Sequence, residues 1–137
     1  MHKEKYSSGA QWESIVGYSR AVLTGQVIEV SGTTAIQNGQ VVCIGDPYGQ
    51  TLRILEIIRE ALAHFGAQMD NVTRTRIYVT DISHWEQVGK AHGQYFKDIR
   101  PATSMVQVAS LIDPHMLVEI EATAVLPTNE RNENKAL

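Results

Sequence analysis

The chain has 137 residues, 43% of them hydrophobic and 20% charged, with a formal net charge of -3 at pH 7. This is an ordinary globular balance for a single domain, 1–137, with one core. The acidic balance argues against a nucleic-acid protein, whose partner demands a basic footprint, and the single cysteine, Cys43, excludes an internal disulfide or a paired-cysteine metal site.

The N-terminus, Met1-His2-Lys3-Glu4-Lys5, has no apolar run after it and does not read as a signal peptide. No stretch approaches the ~18 apolar residues of a membrane span. A soluble, cytoplasmic protein is expected. Ile15 to Leu23 and Gln26 to Ser31 read as strands joined at Thr24-Gly25, with Ile28 and Val30 alternating against Glu29 and Ser31. Asn38-Gly39 is a hairpin signal, because both residues tolerate positive φ. Cys43 reads as a small apolar strand residue.

Asp46-Pro47 predicts a helix start, with Asp46 as N-cap and Pro47 at the first helical position. Leu52, Leu55, Ile58, Leu62 and Phe65 form its apolar stripe, and Gly66 caps its end. Thr73 to Thr80 is rich in β-branched residues and reads as a strand. Ser83-His84-Trp85-Glu86 is a capping box for a second helix, with Trp85, Val88, Ala91, Tyr95 and Phe96 inward. Arg100-Pro101 ends it. Ser104 to Ala109 and Leu117 to Val125 are the last strands. The core spans about 15–126, and the polar tail 128–137 is expected to fray. The order predicts an α+β fold: a single sheet with two helices packed on one face.

Alternation assigns Ile77, Val79, Val106, Val108, Val118 and Ile120 to the face under the helices. The other face would carry Arg74, Arg76, Tyr78, Met105, Gln107, Glu119 and Glu121. It is either a solvated face with exposed ion pairs, each worth ~0–1 kcal/mol, or a subunit interface in which arginines and glutamates neutralise one another. His84 reads as exposed, His92 as a satisfied half-buried residue, and His115 as a loop residue near a cleft rim. Their spacing does not support a metal site.

Several segments occur in a telling order: Val16-Gly17-Tyr18-Ser19-Arg20-Ala21, Val30-Ser31-Gly32, Gln50-Thr51, Arg76-Ile77-Tyr78-Val79-Thr80-Asp81, Tyr95-Phe96, Arg100-Pro101-Ala102 and Val118-Glu119-Ile120-Glu121-Ala122. This ordered set resembles the Rid (YjgF-type) family, also labelled endoribonuclease L-PSP. The resemblance implies a chorismate-mutase-like fold and a homotrimer with a central barrel. It also implies intersubunit clefts that, in active members, hydrolyse enamines and imines to keto acids and ammonia without metal or organic cofactor.

Carried over residue by residue, the resemblance makes Glu119 the catalytic carboxylate that positions or activates water. Tyr18 matches the aromatic residue closing over the ligand, and Ser31 the small polar residue after the second strand. Each has a plainer alternative: a packing aromatic for Tyr18, a turn residue for Ser31 and an ion-pair partner for Glu119. Deaminating members carry arginine after Pro-Ala, where this chain has Thr103. Thr103 cannot make a bidentate fork to a carboxylate, and a lost charge-assisted hydrogen bond is worth ~1.5–3 kcal/mol. Gly89 and Met105 stand where the family's cleft has Asn and Cys. Arg20, Arg74 or Arg76 could supply the anion contact instead, or merely balance the glutamates. The expected ligand is a small molecule. Three functions are thus open: an enamine or imine deaminase, a non-catalytic small-ligand module, and, against the acidic charge, RNA cleavage or translation inhibition.

Overall fold

The computed structural model describes residues 2–128. Most of the tail expected to fray, 128–137, lies outside the described residues. Ten regular elements follow one another: β1 (Lys3–Tyr6), β2 (Ala21–Thr24), β3 (Val27–Thr33), β4 (Ile36–Gln37), β5 (Gln40–Val41), α1 (Pro47–His64), β6 (Val72–Val79), α2 (Trp85–Phe96), β7 (Ala102–Gln107) and β8 (Val118–Val125). Six strands form one mixed sheet in the order β1-β2-β3-β8-β6-β7. Among the described residues, only β6 and β7 pair in parallel, joined by the α2 crossover. The fold is therefore α+β with two helices, as the order of elements predicts. Among the described residues, no helix is long and apolar enough to cross a membrane.

The local signals explain most elements. Asn38 and Gly39 adopt φ of 52° and 77° between β4 and β5. Both central residues of this tight turn are left-handed, which suits Asn-Gly. Asp46 accepts a 3.0 Å bond from Gly49 N, and Pro47 opens α1. Gly66 follows the helix at φ 80°. α1 packs on β3 and β8 through Ile54, Leu55, Ile58 and Leu62, all fully buried. α2 lies beside α1, and its His92 Nε2 meets Thr75 Oγ1 of β6 at 2.9 Å. Ile28, Val30, Ile77, Val79, Val118 and Ile120 complete the core beneath them.

Several expectations are corrected. Glu13–Gly17 forms a π-helical turn, not the start of a strand, and Val16 is 69% exposed. The charged start of the chain supplies the edge strand β1, paired with β2. Ser83 does not cap α2. Asp81 does the capping one turn earlier, accepting from Ser83 N and Ser83 Oγ ahead of a 3-10 turn, Ile82–His84. Trp85 is 55% exposed rather than inward. Cys43 is exposed in a turn at φ 56°.

The faces of β7 are also reversed. Parallel pairing sets Met105 opposite Ile77 and Val106 opposite Tyr78. Met105 therefore packs against the core, Gln107 Oε1 accepts from Ile82 N, and Val106 is 47% exposed. The strand carries one large apolar residue on each face, so its own alternation does not decide the side. The register to β6 does.

Candidate functional site

β8 is a central strand between β3 and β6, and Glu119 points to the face away from the helices. The β3–β8 register shifts between Val30 and Thr33, so Ser31 and Gly32 bulge out of the ladder. Gly32 sits beneath the Glu119 side chain. A Cβ at Gly32 would lie 2.5 Å from Glu119 Oε2 and 2.9 Å from its Cδ. The glycine is thus the seat of the carboxylate.

Arg20 meets the same glycine from the other side. Its Nη2 donates to Gly32 O at 2.7 Å, and its guanidinium lies 5.9 Å from the Tyr18 ring centroid. Tyr18, Arg20, Gly32 and Glu119 line one open cleft, with Trp12 and Ile112 on its walls. Burial, then repulsion from Glu121, pushes the Glu119 carboxyl above the ordinary glutamate value, while Arg20 opposes the shift. Burial in turn lowers the Arg20 pKa, opposed by Tyr18, Glu13 and Glu119.

The flap carrying Tyr18 is anchored by Glu13. Its buried carboxylate accepts from Ser8 N at 3.2 Å and Ser8 Oγ at 2.5 Å. Burial raises its pKa, but the hydrogen bonds outweigh that and hold it low. Glu13 Oε1 and Arg20 Nε are both buried without a hydrogen-bond partner among the described residues.

The opposite wall is held by Gln50, which is fully buried. Its Nε2 donates to His115 O at 2.8 Å and more weakly to Val42 O and Cys43 O, while its Oε1 accepts from Leu117 N at 2.9 Å. One side chain thereby ties the 43–45 turn and the loop before β8 to α1. His115 does stand at the cleft, 3.5 Å from Asp113 through its Nδ1.

The remaining candidates are placed elsewhere. Ser31 lines a second, shallower groove beside Tyr18, and its hydroxyl donates to Ser19 O at 2.6 Å. Thr103 stands on the helix side of β7, its Oγ1 2.7 Å from Thr75 Oγ1 and 3.2 Å from Pro101 O. Met105 shares that side, and Gly89 lies within α2 with open space around its Cα. A single chain therefore does not bring Thr103, Met105 or Gly89 to Glu119. Arg74 Nη2 donates to Ser104 Oγ, and Arg76 lies opposite Glu121 in the ladder. Glu121 accepts from Tyr78 Oη at 2.7 Å, so its hydrogen-bond partner is a tyrosine, not the expected arginine. Among the described residues, no three His, Cys, Asp or Glu side chains converge as a metal site.

Sequence reasoning singled out neither Glu13 nor Gln50 for a role, nor Gly32 as the seat of Glu119. Glu13 carries no signal, lying just ahead of Ile15 to Leu23, the segment that reads as strand. The Gly32 role depends on a bulge that only pairing with β8 creates.

Comparison with known proteins gives three kinds of likeness. The family model described as endoribonuclease L-PSP matches residues 9–126. The crystal structure of Rv2704 from Mycobacterium tuberculosis, a member of the YjgF/YER057c/UK114 family, is 49% identical, with a TM-score of 0.83 over 91% of this chain and 100% of that one. An uncharacterized Streptomyces coelicolor protein, SCO2049, is 37% identical over 120 residues, 88% of this chain and 90% of the relative. The 3-aminoacrylate deaminase RutC of Acinetobacter baylyi is 32% identical over 108 residues, covering 78% and 85%.

Proposed function

Since the chain belongs to the endoribonuclease L-PSP family, also called the Rid or YjgF family, we propose that it hydrolyses a reactive enamine or imine in a cleft completed by a second subunit of a homotrimer. The observation that carries this reading is Glu119: a half-buried carboxylate of raised pKa, seated on a glycine inside a cleft beside an aromatic flap. A carboxylate so placed suits a general base. It would accept a proton from water as the oxygen attacks the C=N carbon, then return it to the nitrogen. The carbinolamine collapses to a carbonyl and ammonia, and an enamine enters by tautomerising to the imine. Water is the only co-reactant, so the reading involves no metal or organic cofactor.

The name of RutC supports this reaction class. The chorismate-mutase-like barrel and the trimer belong to the same proposal. In it, Thr103, Met105 and Gly89 reach Glu119 only from a neighbouring subunit, and Thr103 holds the place of the deaminase arginine. The assay is ammonia release from imines generated by an amino-acid oxidase. Release above the uncatalysed rate, lost in Glu119→Gln, is expected. No release from any imine, with the protein correctly assembled, overturns it.

One observation favours a second reading, a non-catalytic module for a small ligand. Thr103 carries no charge, and its hydroxyl is spent on Thr75 and Pro101, so neither a cation nor a free donor stands at that place in one chain. Saturable ligand binding without turnover is its signature. RNA cleavage ranks last, since the net charge of -3 opposes a phosphate backbone.

A further inference from the structure

We propose that Arg20 is the residue that takes the carboxylate of a zwitterionic ligand in this cleft, opposite a cationic nitrogen at Glu119 of the same chain. This deepens the reading above and rests on Glu119 facing the reacting nitrogen.

Arg20 holds the carbonyl of Gly32, and Glu119 lies against the Cα of Gly32. The two charges thus stand within one residue of each other, yet they form no ion pair. Arg20 makes one side-chain hydrogen bond among the described residues and is half-buried. A guanidinium with five donors, half-buried and lacking a contacting carboxylate, is poised for an oxyanion.

The charges around it select what can enter. Glu13 and Glu119 both act on Arg20 from a distance, and Glu121 acts on Glu119. Tyr18 covers the guanidinium. Arg53, also in the cleft, is turned to Ile36 O through its Nε, and His115 pairs with Asp113 on the far wall. A ligand carrying only a carboxylate adds a third negative group near Arg20. A ligand carrying only an amine satisfies Glu119 and leaves Arg20 unpaired. A molecule with both, separated by one carbon, answers both charges and changes the net charge of the cleft by nothing. A 2-iminium acid is such a molecule. Trp12, Val16 and Ile112 give the cleft apolar walls, the last 80% exposed, which suit an aliphatic side chain.

The test uses three compounds of nearly one shape: 2-aminoisobutyrate, isobutyrate and tert-butylamine. Each is titrated into the full chain by calorimetry or NMR. The amino acid is expected to bind at least about tenfold more tightly than either single-charge analogue, the size of one charge-assisted hydrogen bond. Arg20→Met is expected to reduce its affinity to that of tert-butylamine and leave tert-butylamine unchanged, with a melting curve showing that the variant is folded. Glu119→Gln is expected to remove the advantage over isobutyrate. Equal affinities, no binding of the amino acid, or a preference that survives Arg20→Met overturns the assignment. Should Arg20→Met not fold, the parent and Glu119→Gln titrations decide. Ammonia release is read separately. Zwitterion binding without release defeats only the reaction, and release with Arg20→Met affinity unchanged defeats only the zwitterion site.

Discussion

Alanine at Gly32 would put a methyl group 2.5 Å from Glu119 Oε2. The neighbour is the end of a flexible side chain, so the carboxylate swings away rather than the fold breaking. Gly32→Ala is therefore expected to lower kcat at least about tenfold, the value of one misplaced charge-assisted contact, with little change in Tm. Equal losses in both would make Gly32 a folding residue only. Glu119 also predicts a pH profile. Burial, then Glu121, raises its folded pKa, so the ionised base forms only above the ordinary value of 4.5, and activity rises with pH through that higher value. The same shift has a stability consequence of definite sign. Between the ordinary and the raised pKa the folded chain holds a proton that the unfolded chain has released. Its stabilising contribution is full below the unfolded pKa and is lost as pH rises through the folded one. Glu119→Gln removes that slope, which urea midpoints across the acid-to-neutral range would reveal.

At the scale of elements, Gln50 ties α1 to both the 43–45 turn and the loop before β8 through one buried side chain. Gln50→Leu leaves Leu117 N and the carbonyl of His115 unsatisfied, at about 1–3 kcal/mol for each buried group. The expected result is a fall in Tm together with a rise in KM, as the cleft wall loosens. The helix start is a cleaner case: Asp46→Ala loses the cap to Gly49 N and is expected to cost about 1 kcal/mol in urea unfolding. Such local signals are legible in the amino-acid order itself. Asp46-Pro47, Asn38-Gly39 and the α1 stripe each act over a few residues, and each forms the element it predicts. The edge strand β1 is not legible, because Lys3-Glu4-Lys5 has no apolar face and pairs only because β2 offers an open edge. The side of β7 is not legible either, because its register comes from β6. For the site, the resemblance groups Glu119 with Tyr18, Ser31, Thr103, Gly89 and Met105, and offers Arg20, Arg74 or Arg76 as an anion contact; Tyr18, Arg20 and Glu119 share a cleft in one chain, while Ser31, Thr103, Gly89 and Met105 do not join them. The bulge that seats Glu119 on Gly32 arises from two strands together, and neither shows it alone.

At the scale of the whole molecule, Thr103 and Met105 stand on the opposite side of the sheet from Glu119. No motion of one chain's side chains unites them, so a shared cleft requires assembly. Sedimentation is expected to give three times the mass of one chain, and a monomer with full activity would remove Thr103 from the site. The open face offers a physical reason to assemble. Val106 and Val125 are exposed there among Arg74, Arg76 and Glu121, a mixture of apolar area and opposite charges typical of an interface. In the proposed reaction Glu119 handles the water in that cleft. The most direct measurement is ammonia release from oxidase-generated imines by the parent protein and by Glu119→Gln, both shown to be folded and equally assembled. Release by the parent, rising with pH, is expected, with a loss of at least about a hundredfold in the variant, the usual contribution of a general base. Equal rates for the two proteins, at or above the uncatalysed rate, would contradict that role.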